Sequence, residues 1–226
     1  MGQVIDVRRA AQRYPGGEPG TGIETAHAFS FGPHYDPGNL RFATLIACNE
    51  ERLAPGAGFT EHPHSHTEIV TWVARGELTH EDSAGHTTVV RPGDVQWLSA
   101  GDGVRHIERN AGPEPLVFVQ MWLLPLEPGG TPAYDVVRGL ADESPCPLPR
   151  AGAALHVRRP GPGERAGVPD ASAAYLHVVH GTVTLGDETL QPGDSARLTE
   201  TRGLTLTAGP DAAAEILIWE FPTMAG

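Results

Sequence analysis

A chain of 226 residues with a formal charge of −12 is long enough to bury one large core or two smaller ones. Its 16 basic residues are all arginine, and without a basic run they exclude direct electrostatic binding to nucleic acid or an anionic membrane as a main function. Cys48 and Cys146 are too few and too far apart for a disulfide framework or a cysteine zinc site, and the N-terminus lacks a signal peptide's apolar stretch, so the expected compartment is the cytoplasm.

Frequent glycine and proline break the chain into short runs rich in Val, Ile, Thr, Leu and Trp, with no long segment of helical period, which predicts an all-β protein with few short helices. The order begins with a strand over Ala26–Phe31, a loop, and a strand over Leu40–Cys48. After the turn at Ala54–Gly58 comes a histidine strand from Glu61 through Val73. A hairpin pairs Leu78–Asp82 with Thr87–Val90, and Pro92-Gly93-Asp94 turns the chain into Val95–Leu98. A loop carrying His106 precedes a long buried strand, Leu116–Leu124; the most apolar window, Leu116–Leu126, is about half the length needed to span a bilayer. From Glu127 to about Gly152 prolines mark a connector, with one helical turn expected over Asp135–Leu140.

The remainder repeats the first half. Tyr175–Val183 aligns with Ile69–Glu77, Gln191–Asp194 with Arg91–Asp94, and Leu217–Glu220 with Met121–Leu124. Residues 1–130 and 131–226 are therefore expected to form two tandem β-barrels facing each other, the second including the connector.

On an extended strand alternate side chains share a face, so His62, His64, His66 and Glu68 have one parity. His106 and Glu108 form a second i, i+2 pair. An isolated His-x-His usually hydrogen-bonds a turn. Two such pairs on adjacent strands instead offer three imidazoles and a carboxylate, a donor set suited to Fe(II), Mn, Ni, Cu or Zn. His62, His64, His106 and Glu108 are the expected metal ligands. Glu68 is expected to accept the free N–H of a ligating histidine. His66 is read as a supporting donor or a group at the pocket mouth in preference to a fifth ligand. His80 and His86 flank the hairpin without a partner cluster and are expected to be exposed, and no metal is expected at His177 and His180.

These pieces resemble the pirins, which are bicupins of the cupin superfamily. The resemblance runs through His27-Ala28-Phe29-Ser30-Phe31, Tyr35-Asp36-Pro37 and Gly58-Phe59 before His62-Pro63-His64. It continues through Glu68-Ile69-Val70-Thr71, Gly76-Glu77, His80-Glu81-Asp82-Ser83 and Pro92–Trp97 to Ser99-Ala100-Gly101, His106-x-Glu108 and Gln120-Met121-Trp122. It implies an N-terminal cupin that holds iron on His62, His64, His106 and Glu108, with Mn, Ni, Co, Cu or Zn as alternatives, and a C-terminal cupin without ligands. His66 and Trp72 depart from the residues that relatives often carry at these places.

The resemblance also implies an activity. Some pirins are similar to quercetin 2,3-dioxygenases, which open a flavonol ring with O₂. The expected partner is then a small aromatic substrate such as a flavonol, with Glu108 or Glu68 taking the hydroxyl proton and Phe59, Trp97 and Trp122 lining the cavity. The alternative is an iron-dependent, redox-sensing regulator that acts through protein partners without turnover.

Overall fold

The computed structural model describes residues 2–18, 20–142 and 144–222, and among them the apolar runs form twenty-one strands and no α-helix. In chain order they begin with β1 (Val4–Arg8), β2 (Tyr14–Glu18), β3 (Ile23–His27), β4 (Leu45–Leu53), β5 (Gly58–His64), β6 (Glu68–Arg75) and β7 (Leu78–Asp82). β8 (Thr87–Val90), β9 (Val95–Ser99), β10 (Val104–Arg109), β11 (Leu116–Leu123), β12 (Ala133–Val137) and β13 (Cys146–Leu148) follow. β14 (Ala153–Arg158), β15 (Arg165–Gly167), β16 (Ala173–His180), β17 (Val183–Leu185), β18 (Glu188–Leu190), β19 (Ser195–Thr199), β20 (Thr205–Ala208) and β21 (Glu215–Phe221) complete the chain.

Two compact units result, one spanning Arg13–Leu140 and the other joining Met1–Gln12 to Ala141–Gly226. In the first, a seven-stranded sheet (β12-β9-β6-β11-β4-β3-β2) packs on a four-stranded one (β5-β10-β7-β8). Leu53, Val73, Leu116 and Phe118 from the first sheet meet Leu78 and Val90 from the second. In the other unit, a six-stranded sheet (β1-β19-β16-β21-β14-β13) packs on β15-β20-β17-β18. The strand orders correspond place by place, so each unit is a β-barrel of jelly-roll type and the chain is all-β.

Equivalent polar clasps hold the corresponding edge strands. Asp94 closes the turn before β9 by accepting from the Arg91 N–H, and it also receives Arg138 (2.6 Å) and the Gly139 N–H just beyond β12. Asp194 closes the turn before β19 through the Gln191 N–H, and receives Arg9 (3.1 Å) and the Ala10 N–H just beyond β1. The clasped strand is the difference: β12 follows β11 in the chain, whereas β1 is the first strand of all and pairs with β19.

Several sequence expectations need correction. The first twelve residues belong with the C-terminal unit, because β1 supplies its edge, and not with a domain over 1–130. Asp135–Leu140 forms no helical turn: Ala133–Val137 pairs with β9. The first two strands shift to Ile23–His27 and Leu45–Leu53, since Ala43 at φ +50° breaks the extended run that was read over 40–48. The repeat is also in a different register. Gly76 and Gly181 occupy the same turn, at φ +79° and +72°, and a Cβ would lie 2.9 Å from the Pro115 carbonyl oxygen at one and 2.4 Å from that of Ala213 at the other. Tyr175 therefore matches Val70, not Ile69, and the cross-strand pairs of β11 and β21 match Met121 with Trp219. The slip is one residue in β16, which exchanges the faces of that strand, and two in β21, which keeps them.

Candidate metal centre

β5 and β10 pair antiparallel and place His62 directly opposite His106. Glu108, two residues on, faces Phe59, so one extra residue of β5 is accommodated between these pairs as a β-bulge. Phe59 and His62, three apart, consequently both project into one cavity. His62 Nδ1 lies 2.7 Å from the Thr60 carbonyl oxygen. A carbonyl can only accept, so in neutral His62 the Nδ1 carries the proton and Nε2 keeps a free lone pair.

That Nε2 lies 2.9 Å from His106 Nε2, and the ring centroids of His62, His64 and His106 are 4.5–4.9 Å apart. Two imidazole nitrogens bound at right angles to one ion at 2.0–2.1 Å would be separated by about 2.9 Å. His64 Nε2 is buried with no hydrogen-bond partner among the described residues. Burial, reinforced by the neighbouring rings, pushes His106 down to about 3 and His64 down to about 4. Both are neutral at pH 7, as metal coordination requires. The donor chemistry, the orphaned nitrogen and the spacing all fit a transition metal.

Glu108 is 1% exposed and both its oxygens are held: Gln96 Nε2 donates to Oε1 (3.2 Å) and Gln120 Nε2 to Oε2 (2.7 Å). Trp122 Nε1 in turn donates to Gln120 Oε1 (3.0 Å), and the Tyr134 hydroxyl to Gln96 Oε1 (3.1 Å). Donating to the far oxygen of each amide orients its N–H₂ toward the carboxylate. Burial pushes the Tyr134 hydroxyl up to about 12, so it stays a donor.

His80 corrects the sequence reading. It is fully buried, not exposed, and its side chain belongs with those of His106 and Glu108. Its Nε2 lies 3.2 Å from Asp82, and its ring stacks on Tyr134 at 4.5 Å; half-exposed His86 stacks beyond (4.9 Å) and also bonds Asp82. The signal was present in the alternation of Leu78, His80 and Asp82, because β7 carries His80 opposite Glu108.

His66 and Glu68 do not join the cluster. The chain leaves the extended conformation at His66, φ +54°, so parity counted from His62 does not carry past it. His66 is exposed and is not on the cavity wall. Glu68 opens β6 in the other sheet, where Ile69, Thr71 and Val73 turn inward and Glu68 outward, accepting the Ser99 hydroxyl at 2.8 Å. Trp97 likewise alternates away from inward-facing Gln96.

The cavity, about 350 Å³, runs from His62, His64 and Glu108 past Phe31, Phe59 and Trp122 toward β3 and β4. Its far wall holds Glu51, which sequence reasoning did not single out. The carboxyl accepts the Thr25 hydroxyl (2.5 Å), and burial, with some help from the Glu108 charge, pushes it up to about 8. Because the folded value lies above the unfolded one, the folded state holds the extra proton between about pH 4.5 and 8. Stability tied to this group is complete below pH 4.5 and is lost as pH rises toward 8, at about 1.4 kcal/mol per unit. In metal-free protein Glu51→Gln is expected to gain on the wild type by about 3 kcal/mol between pH 4.5 and 7 in urea titrations; parallel profiles would refute this.

At the places of the cluster the second barrel is aliphatic. Leu185 stands at the place of His80, Leu206 at that of Glu108 and Leu204 at that of His106, all within one aliphatic core. Val168, whose N–H bonds the Leu204 carbonyl, takes the place of His62.

Comparison with known proteins agrees with this architecture. Residues 6–123 match the Pirin family model, and residues 163–221 match the model of the quercetinase C-terminal cupin domain. A quercetin 2,3-dioxygenase candidate of Mycobacterium tuberculosis is 37% identical over 244 residues, covering 100% of this chain and 98% of the relative. Quercetin 2,3-dioxygenase of Escherichia coli is 39% identical over 134 residues, covering 58% of this chain and 57% of its own. The crystal structure of YhhW from Escherichia coli superposes with a TM-score of 0.85 at 28% identity, covering 99% of this chain and 100% of that one. The structure of that bacterial pirin in complex with nickel(II) superposes with a TM-score of 0.83, covering 97% and 99%. With its first half matching the family model and its whole length matching relatives of the same architecture, the chain belongs to the pirin family.

Proposed function

We propose that this chain is a metal-dependent dioxygenase of the quercetin 2,3-dioxygenase type, acting on a flavonol or a similar small aromatic. His62, His64, His106 and Glu108 hold one divalent transition metal, with iron the first choice. The observation that carries this reading is the grouping of His62, His64 and His106, with Glu108 grouped beside His106, at the head of a cavity with aromatic walls. The names of its relatives and the nickel(II) held by YhhW support it.

The bound metal supplies a Lewis acid for an enolic oxygen and an electron path to O₂. The remaining work falls to side chains. Glu108, clamped by Gln96 and Gln120, is the carboxylate placed to accept the substrate hydroxyl proton. Glu68, turned to the outer face of its sheet, is not. Phe31, Phe59 and Trp122 offer flat apolar surface that orients a fused ring and keeps water from it.

Aerobic incubation of Fe(II)-, Mn-, Ni-, Co- or Cu-loaded protein with quercetin should remove the flavonol absorbance and release carbon monoxide. No turnover with any of these metals would sink the dioxygenase reading and favour regulation through a protein partner.

A further inference from the structure

The cavity has a second polar end. Gln96, Thr71, Gln120, Asn49 and His27 are successive cross-strand partners on β9, β6, β11, β4 and β3, and form one buried polar row across the sheet. Gln96 and Gln120 are occupied with Glu108. Asn49 and His27 lie further along, and the next pair on the same strands, Thr25 opposite Glu51, extends the polar wall.

These groups bond one another in pairs. His27 Nδ1 lies 3.0 Å from Asn49 Oδ1, and the Thr25 hydroxyl donates to Glu51 Oε2. Asn49 is 3% and Glu51 4% exposed, and both wall the cavity. Burying such polar side chains is costly unless they are paired, and these line an internal space that a ligand can fill. In the second barrel Ala196, Leu176 and Ile218 take the places of Gln96, Thr71 and Gln120 in the row, whereas His156 and Arg158 stand at those of Asn49 and Glu51. His27 is held by stacking on Phe31 at 4.5 Å and by the close approach of Gly16, where a Cβ would lie 2.3 Å from its Nε2. From Gln120 to His27 is two strand spacings, about 10 Å, which is within the reach of a three-ring aromatic.

We propose that Thr25, His27, Asn49 and Glu51 form a recognition subsite for oxygen substituents remote from the metal-binding group. The cavity then selects a polyhydroxylated aromatic over the same ring system carrying only its metal-binding oxygens. This rests on the flavonol reading of the metal centre. Asn49 supplies a donor, and Glu51 supplies a carboxyl oxygen that pairs with a phenolic hydroxyl.

The test is anaerobic binding to metal-loaded protein, read by the absorbance shift of the ligand. Quercetin is compared with 3-hydroxyflavone, which keeps the 3-hydroxyl and 4-keto oxygens and lacks the other hydroxyls. The wild type is expected to prefer quercetin by about tenfold or more. The ratio of affinities should fall toward one in Glu51→Leu and in Asn49→Ala, with Glu51→Gln retaining most of it. Equal affinities in the wild type would overturn the subsite, as would a loss in Glu51→Leu and Asn49→Ala that both ligands share equally. Absence of binding by either flavonol would overturn it together with the flavonol reading. Turnover separates the two: consumption of quercetin without discrimination overturns the subsite alone, and discrimination without consumption supports the subsite while sinking the dioxygenase reading.

Discussion

Replacing His106 with alanine is expected to strip the protein of tightly bound metal while leaving it folded. His106 is 1% exposed, its Nε2 lies 2.9 Å from that of His62, and its ring lies within 5.3 Å of three other imidazoles. Losing a residue that merely supports a ligand costs about 10–100-fold in metal affinity, so losing a ligand at the centre of the cluster should cost more than about 100-fold. The fold should survive because the deletion removes a liability along with the packing: His106 Nδ1 is buried with no hydrogen-bond partner among the described residues. Elemental analysis of protein purified without chelators reads the metal, and circular dichroism with a thermal melt reads the fold. Exposed His66 is the control, and His66→Ala should keep its metal. Unchanged stoichiometry in His106→Ala would count decisively against the site.

Leu206→Glu, which places a carboxylate where the first barrel carries Glu108, should destabilise the chain by about 4 kcal/mol or more. At Glu108 two amides wait for the charge, whereas Leu206 is surrounded by Leu176, Leu185, Ala196, Leu204 and Ile218. A carboxyl fully buried among aliphatic groups has its pKa raised by about 3–5 units, each worth about 1.4 kcal/mol. The raised folded value fixes the sign: the penalty is absent below the unfolded glutamate pKa of about 4.3 and grows as pH rises. Leu206→Gln is the non-titrating comparison. A pH-independent difference between the two variants would show that the second barrel tolerates the charge, contrary to this account.

The meeting of the two i, i+2 pairs was legible because alternation along a strand is a local property. His62, His64, His106 and Glu108 needed only i, i+2 spacing and the neighbouring of β5 and β10. His80 and the glutamines were not read, because their places depend on which strands lie side by side, and that is fixed by long-range pairing. A usable sign was nevertheless there. Gln120 interrupts the apolar run of β11, and Thr71 sits within Ile69–Val73. A polar residue of inward parity in an apolar strand has to be explained by what it binds. The same counting failed at His66 and Glu68, where one left-handed residue ended the strand unannounced. The second barrel was legible as a repeat, but Tyr175 was set one residue off and Leu217 two, because Gly181 was not laid on Gly76, the turn that fixes the register.

The clasp between β1 and β19 also sets a schedule for synthesis. Val4 pairs with Thr199, so β1 leaves a ribosome about 190 residues before its partner exists. At 5–20 residues per second that is roughly 10–40 s. Through that interval Val4–Arg8 is a loose edge, while the barrel built from Arg13–Leu140 already has every strand it needs. The N-terminus is thus the last stitch of the second barrel. An N-terminal tag or a nascent-chain chaperone would act first on the assembly of that barrel, before anything at the histidines was disturbed.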